Sequence, residues 1–317
     1  MIGSSEAFRR ANELIDRISA YDAPVLIEGE TGTGKELAAR AIHYRGNRRN
    51  GPFVPVNCGA LPDELIENEL FGHRRGAFTD ARDDHPGVVK LARNGTLFLD
   101  EIDALTARGQ VVLLRFLQDQ HFRPLGGKHE EQADVRIIAA TNATLNERAT
   151  SGQFRLDLLY RIKLLHIELP PLRDRYGDAA VLAEHFIALA SARYGRVSKT
   201  LAPATLSWFD RYTWPGNIRE LENLVYREFL LSDERVLDIR SPRSIERSCN
   251  DAAASRFTLN YRHAKARAIS DFELRFLTQV IERADGNVSA AARLCGTERR
   301  HLGRLLKKHQ IIKRPAQ

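Results

Sequence analysis

A short apolar run, Val25-Leu26-Ile27, leads into Gly29-Glu30-Thr31-Gly32-Thr33-Gly34-Lys35, and a helical pattern follows over Leu37–His43. No other feature of the chain narrows its possible folds as much. A glycine-rich turn between a buried strand and a helix curls the backbone so that its N–H groups face inward, and the helix offers its positive end to the same point. The result is a phosphate cradle in which Lys35 reaches the outer phosphates. The Ser or Thr that ordinarily follows the lysine is replaced by Glu36, so Mg²⁺ is expected to find its protein support elsewhere. A glycine-rich turn with a chance lysine is the plain alternative, and the flanking strand and helix weigh against it.

Such a loop needs a parallel sheet around it, and the pattern supplies one. Phe53-Val54-Pro55-Val56, Thr96-Leu97-Phe98-Leu99 and Val135–Ala140 read as further buried strands, and Asp63–Phe71 and Gln110–Gln120 as helices. Strands alternating with helices predict an α/β unit whose sheet is covered on both faces. The strand Thr96–Leu99 ends in Asp100-Glu101, so two carboxylates emerge at the sheet edge beside the loop. Asp100 is placed to support Mg²⁺ through water, and Glu101 to orient or deprotonate an attacking water. After Leu169-Pro170-Pro171 the strand signals stop, and helical patterns run over Ala179–Arg193 and Ile218–Leu230. The expected organisation is an α/β ATPase part over 1–172, a helical lid over 173–235, a linker over 236–262 and a terminal helical domain over 263–317.

Composition bounds the rest. The 317 residues are 43% hydrophobic and 28% charged, the balance of a folded chain with a sizeable core. Cys58, Cys249 and Cys295 are too far apart for a disulfide framework or a zinc site. No apolar run is long enough for a membrane helix and no leader pattern opens the chain, so a cytoplasmic protein without membrane contact is expected. The net charge of +7 is unevenly placed. From Gly286 to Gln317 there are eight Lys or Arg residues against one acid, Glu298, a footprint for nucleic acid or simply a solvated helix face.

Taken together, the motifs resemble the sigma-54-dependent activators, bacterial enhancer-binding proteins within the AAA+ P-loop NTPases, from Ile2 to about Ile312. The loop with its Glu36 is similar to that family's own phosphate loop. Glu69-Leu70-Phe71-Gly72-His73 followed by Gly76-Ala77-Phe78-Thr79-Asp80-Ala81 carries the most specific likeness. In the family this segment sits on a loop inserted into a helix and touches sigma-54. The resemblance implies further roles. Asn57 would hold Glu101 in check until a nucleotide signal releases it. Thr141 and Asn142 would sense the γ-phosphate. Arg155 and Arg161 would act as fingers on a neighbour's nucleotide, and Arg219, in Trp214–Leu221, would face bound ATP from the lid. Phe122–Gly127 resembles a second inserted loop that moves with the first. Each has a plain alternative: Arg155 pairing with Asp157, Thr141-Asn142 capping a helix, Trp214-Pro215 packing the lid. Their order along one chain favours the family reading. Trans-acting fingers imply a ring, six subunits in the family.

Asp80 departs from the pattern, which has glycine there. Two readings stay open: the loop tolerates Asp80, or coupling to sigma-54 is altered or lost.

At the C-terminus, Glu273–Ala284 has Leu274, Leu277, Val280 and Ile281 at helical spacing, and Asp285-Gly286-Asn287 breaks the helix. Val288–Cys295 reads as a short helix closed by Gly296, and Thr297 as the cap of a last helix over Glu298–His309. Two short helices around a tight glycine turn form a helix-turn-helix, similar to the Fis-type unit of the family. Arg299, Arg300, His301 and Arg304 are the candidates for bases and phosphates; Lys307, Lys308, Lys313 and Arg314 for phosphates alone. A helical dimerisation module is compatible with the same pattern.

The expectation is therefore an ATP- and Mg²⁺-dependent transcription activator. It binds an upstream double-stranded DNA enhancer site as a dimer, assembles into a homo-oligomeric ring, and remodels the sigma-54 RNA polymerase holoenzyme from a closed to an open complex. The alternative is a DNA-binding regulator whose AAA+ part only assembles or senses nucleotide, uncoupled from sigma-54 by Asp80. A DNA translocase is a third reading, and the segment 76–81 argues against it. The sequence starts almost at the ATPase part, with no receiver or sensing domain before it. A longer parent chain, a separate regulatory protein or expression level would then supply control.

Overall fold

The computed structural model describes residues 1–239 and 287–309, together with positions 273, 276, 277, 280, 281 and 284. Most of the expected linker 236–262 lies outside the described residues, as do Cys249, Leu274, Lys313 and Arg314. The chain divides into two compact units, Met1–Ser241 and Pro242–Gln317.

The first unit is built on five strands: β1 (Val25–Glu28), β2 (Phe53–Asn57), β3 (Thr96–Asp100), β4 (Arg136–Thr141) and β5 (Leu165–Glu168). They lie in the order β2-β3-β4-β1-β5, all parallel. Side chains alternate across the sheet, as the pleat requires. Val25, Ile27, Phe98, Ile138 and Ala140 share one core with helices α1 (Glu6–Ser19) and α2 (Lys35–Arg45). Leu26, Leu97, Leu99, Ile137 and Ala139 share the other, with α3 (Ile66–Phe71), α4 (Val88–Leu91), α5 (Ala107–Asp119), α6 (Leu145–Thr150) and α7 (Leu156–Ile162). Each fully buried Val, Leu, Ile or Phe side chain in these layers contributes about 1.5–3 kcal/mol.

Several boundaries differ from the sequence reading. The helix expected from Asp63 begins at Ile66, because Pro62–Leu65 forms a turn, with Leu65 N–H donating to Pro62 O, and Asp63 accepts from the Thr106 hydroxyl. Helix α5 starts three residues before the expected Gln110, where Thr106 caps it by accepting Gly109 N–H. Strand signals do not end entirely at the prolines: Thr200–Leu201 pairs with Val236–Leu237, a two-residue ladder too short to show alternation.

The lid is helical: α8 (Asp178–Tyr194), α9 (Pro203–Phe209) and α10 (Asn217–Leu231) pack around Phe186, Phe209, Trp214 and Phe229. Its core extends to Leu237 and Ile239, each 1% exposed, so the chain is still anchored where the linker was expected to begin.

In the second unit, Glu273, Phe276, Leu277, Val280 and Ile281 are helical, followed by α11 (Val288–Leu294) and α12 (Arg299–Lys308). Asn287 caps α11 through Ser289 and Ala290 N–H, and Gly296 takes φ +64° in the turn. The residue before α12 is Glu298; Thr297 does not cap the helix, because its hydroxyl donates back to Cys295 O. Leu277, Ala291, Leu302 and Leu306 form a separate small core.

Candidate functional site

Ligands of open parallel sheets sit beyond the carboxyl ends of the strands, and here the candidate residues gather there. The loop Gly29–Lys35 leaves the end of β1. Gly32 and Gly34 take φ of +82° and +94°, conformations that side chains other than glycine adopt reluctantly. Lys35 Nζ donates to Gly29 O (2.8 Å) and Glu30 O (3.2 Å), so its ammonium lies along the loop. Burial holds Lys35 below its ordinary value, opposed by Asp100. Glu36 is turned along α2 to Arg40 (2.7 Å), away from a metal-supporting role.

Asp100 ends β3 in register with Asn57 at the end of β2. Burial pushes Asp100 up, while Glu101 N–H (3.0 Å to Oδ1) and Lys35 draw it down. Glu101 has φ +53° and leaves the strand line. Asn57 Oδ1 accepts Gly59 N–H (2.8 Å) rather than bonding Glu101 directly. A Cβ at Gly59 would lie 2.8 Å from Glu101 Oε2 and 3.2 Å from Asn57 Oδ1, so the two side chains flank that glycine closely. At the end of β4, Asn142 Nδ2 donates to the Thr31 hydroxyl (3.2 Å).

Thr141 is turned to a residue that sequence reasoning passed over. Its hydroxyl donates to Asp103 Oδ1 (2.6 Å), and Arg148 of α6 pairs with the same carboxylate (3.2 Å). Asp103 thus fastens β4 and α6 behind the Asp100-Glu101 pair. Its only signal was a third acid in the run Asp100-Glu101-Ile102-Asp103.

The lid closes onto the phosphate loop through Asn217, another residue not singled out from sequence. Buried and at φ +52°, it donates to Thr31 O (3.0 Å) and Glu30 Oε2 (3.1 Å) and accepts Leu172 N–H (2.8 Å). Ile218 N–H donates to Gly32 O (3.0 Å), and Arg173 pairs with Glu30 (2.6 Å). The hydrogen bonds from Arg173 and then Asn217 hold Glu30 below the ordinary carboxylate range. Arg219 stands beside the loop, close enough to Lys35 to disfavour its charge. Beside Gly34 opens a mostly apolar cavity of about 190 Å³, walled by Ile2, Phe8, Leu37, Phe186 and Ile218.

The arginines of α7 are not gathered into this group. Arg155 pairs with Asp157 (2.6 Å) on the surface, beside exposed Leu156 and Tyr160. Arg161 donates to Leu117 O (3.1 Å) and Gln118 O (2.7 Å), capping the end of α5. Trp214 is 1% exposed, so it does pack the lid, and its turn also delivers Asn217.

Residues 76–81 project between α3 and α4 from a ladder of Gly72–His73 with His85–Pro86. Phe78 is 44% exposed and rests edge-on against His73, centroids 4.9 Å apart. Asp80 lies outside the left-handed region, so no glycine-only backbone is required there. The stretch Phe122–Gly127 is bound to the same base: Leu125 N–H donates to Gly72 O and Arg74 N–H to Leu125 O, both 2.9 Å. Arg74 bridges Asp84 (2.7 Å) and Glu131 (2.9 Å).

In the second unit, Arg299, Arg300, His301 and Arg304 sit on α12, the first three in its opening turn and exposed. Lys308 pairs with Glu273 (2.8 Å).

Among the described residues no group of three or more His, Cys, Asp or Glu converges as a metal site. The arrangement suits a divalent ion held mainly by phosphate oxygens and steadied by Asp100. No described helix is long and apolar enough to cross a membrane.

Comparisons with known proteins agree in kind. The family model for the sigma-54 interaction domain matches residues 1–168, the AAA+ ATPase lid domain 173–256, and the Fis-family bacterial regulatory protein 268–309. The chain is 41% identical over 297 residues to the regulatory protein AtoC of Escherichia coli (strain K12), spanning 93% of this chain and 64% of that one. It is 39% identical over 312 residues to the nitrogen fixation protein AnfA of Azotobacter vinelandii, spanning 98% and 57%. The chain therefore spans less than two thirds of these relatives. A crystal structure of NtrX from Brucella abortus in complex with ATP superposes with a TM-score of 0.73 at 32% identity, over 98% of this chain and 69% of that one.

Proposed function

The chain belongs to the sigma-54 interaction domain family, with an AAA+ lid and a Fis-type helix-turn-helix, and from that premise we propose that it hydrolyses ATP to remodel a sigma-54 promoter complex from an upstream DNA site. The observation that carries this reading is the convergence of Lys35, Asp100, Glu101, Asn57 and Asn142 at one sheet edge, in a chain that also projects Phe78.

Mg²⁺·ATP supplies the phosphoanhydride bond and the charge on which these residues act. The free N–H groups of the glycine-rich loop and the Lys35 ammonium hold the phosphates, and Asp100 would help hold the Mg²⁺. Ile2, Phe8, Leu37 and Ile218 enclose the base. Glu101 takes the proton of the attacking water as its oxygen bonds to the γ-phosphorus, and the bonding pair of the cleaved bond leaves with the β-phosphate oxygen. Asn57 restrains Glu101, Asn142 and Arg219 register the γ-phosphate, and Thr141, bonded to Asp103, fixes the strand end from which Asn142 does so. Arg155 and Arg161 leave Asp157 and the end of α5 to stabilise charge on a neighbour's nucleotide, which makes a homo-oligomeric ring the active form. The Phe78-Thr79 tip carries the work to sigma-54, and α12 reads the DNA.

The test is steady-state ATPase activity against protein concentration. Activity per subunit should rise steeply, and Arg161→Ala should lower it about 10³-fold or more. A wild-type rate that does not depend on concentration would overturn the trans-finger arrangement. The uncoupled alternative rests on the Asp80 carboxylate beside Thr79. Transcription in vitro from a sigma-54 promoter separates the two: open complexes that need ATP hydrolysis support coupling, and DNA binding without them supports the alternative.

A further inference from the structure

One buried ion pair has no part in the chemistry above. Asp178, the first residue of α8, is 0% exposed, and Arg175 Nε donates to its Oδ2 at 2.8 Å. The same carboxylate accepts Ser4 N–H (2.6 Å), Ser5 N–H (2.9 Å) and the Ser5 hydroxyl (2.8 Å), reaching more than 170 residues back along the chain. Arg175 completes the clasp: it donates to Ile2 O (2.9 Å), and its guanidinium lies 4.4 Å from the centre of the Phe8 ring. Burial pushes the Asp178 carboxyl up, but these donors hold it below its ordinary value, so it stays charged.

A buried ion pair is a poor source of stability when an apolar pair of the same volume would serve as well. What this pair fixes is position. The segment it grips carries Ile2 and Phe8, which line the cavity beside Gly34 together with Arg175 itself, and Leu182 and Phe186, on the same helix as Asp178, line it too. The carboxylate therefore joins two walls of one cavity: the N-terminal arm and the lid.

We propose that Asp178 and Arg175 are positioning residues for nucleotide recognition, holding the N-terminal arm against the lid so that the base, rather than the phosphates, is gripped. The proposal rests on the reading of the Gly29–Lys35 loop as an ATP site. It touches no atom of the phosphate cradle, and this separates it from a general weakening of the fold.

The experiment uses the full chain with a fluorescent ATP analogue, displaced by ATP, ADP or inorganic tripolyphosphate. Asp178→Asn should weaken ATP and ADP about tenfold and leave tripolyphosphate unchanged. Asp178→Asn strands the Arg175 charge, so the double variant Asp178→Asn with Arg175→Gln decides the matter if the single variant does not fold. Unchanged ATP affinity in a folded variant overturns the proposal. Equal losses for ATP and tripolyphosphate overturn it too, because the clasp would then serve the whole site. If the wild type binds tripolyphosphate as tightly as ATP, there is no base grip to position, and the base-pocket reading falls with the proposal. If it binds tripolyphosphate but no ATP at all, the ATP reading itself is what failed.

Discussion

Glu101 sits at φ +53° immediately after a strand residue. A non-glycine residue held there costs on the order of 1 kcal/mol or more, and such strain persists only where the surroundings impose it. Of the two adjacent carboxylates, Asp100 acts the more strongly on Lys35, and Glu101 lies with Asn57 against Gly59. If Glu101 handles the water proton and Asp100 the metal, Glu101→Gln should keep ATP affinity and lower hydrolysis about 10²- to 10⁴-fold, read by nucleotide titration beside single-turnover hydrolysis. The Asp-Glu pair was legible because an apolar strand ended in it. Asp103 was not, because its meaning depends on Thr141, 38 residues further on. Asn217 was hidden for the same reason: an Asn after Pro-Gly reads as a turn residue until its three hydrogen bonds are seen. Cys58, between Asn57 and Gly59, is buried, and this burial pushes its thiol up to about 12.

Elements differed in how plainly they announced themselves. Strands β1, β3 and β4 are central and almost wholly buried, whereas β2 lies at the sheet edge with only Val56 buried and stood out through its apolar run alone. β5 is an edge strand that alternates Leu165, His166, Ile167 and Glu168, and its only fully buried residue is Ile167; four residues of alternation are too few to stand out. The two inserted stretches, and their moving together, were read from motif resemblance; the contacts that join them were not, because these are backbone bonds and the Arg74 side chain. That side chain is 46% exposed and its partner Glu131 28%, so as a surface pair it adds little to stability. Its value is in tying one stretch to the other. Arg74→Glu should shift the melting temperature by no more than about 2–4 °C and keep the ATPase rate within about twofold of wild type, yet weaken capture of sigma-54 in the presence of a transition-state nucleotide analogue. Combining it with Glu131→Arg and Asp84→Asn, which removes the second acid facing position 74, should restore capture. Loss in the charge-swapped protein would mean that Arg74 does something other than join the two stretches.

At the scale of the whole molecule, the chain places phosphate chemistry in one unit and a basic helix in another. DNA affinity of the full chain should fall with salt, as expected when lysines and arginines displace counterions. The residues of α12 should not contribute alike. Arg300→Ala should reduce the slope of log affinity against log salt by about 0.9. Lys308→Ala should change it less, because Lys308 already faces Glu273. Equal changes in slope, measured by fluorescence anisotropy on a labelled duplex, would show that the Lys308–Glu273 pair opens on DNA.

Gly32 has no side chain, and a methyl group there would collide with the carbonyl of Gly216. At this point the two subdomains approach as closely as a glycine allows. Two adjoining hydrogen bonds hold that contact, Ile218 N–H to Gly32 O and Asn217 Nδ2 to Thr31 O. Small displacements at such contacts tend to resolve into two discrete arrangements. The residence time of a spent diphosphate would then be set by how firmly the Trp214 turn is seated, several residues away from anything the diphosphate touches.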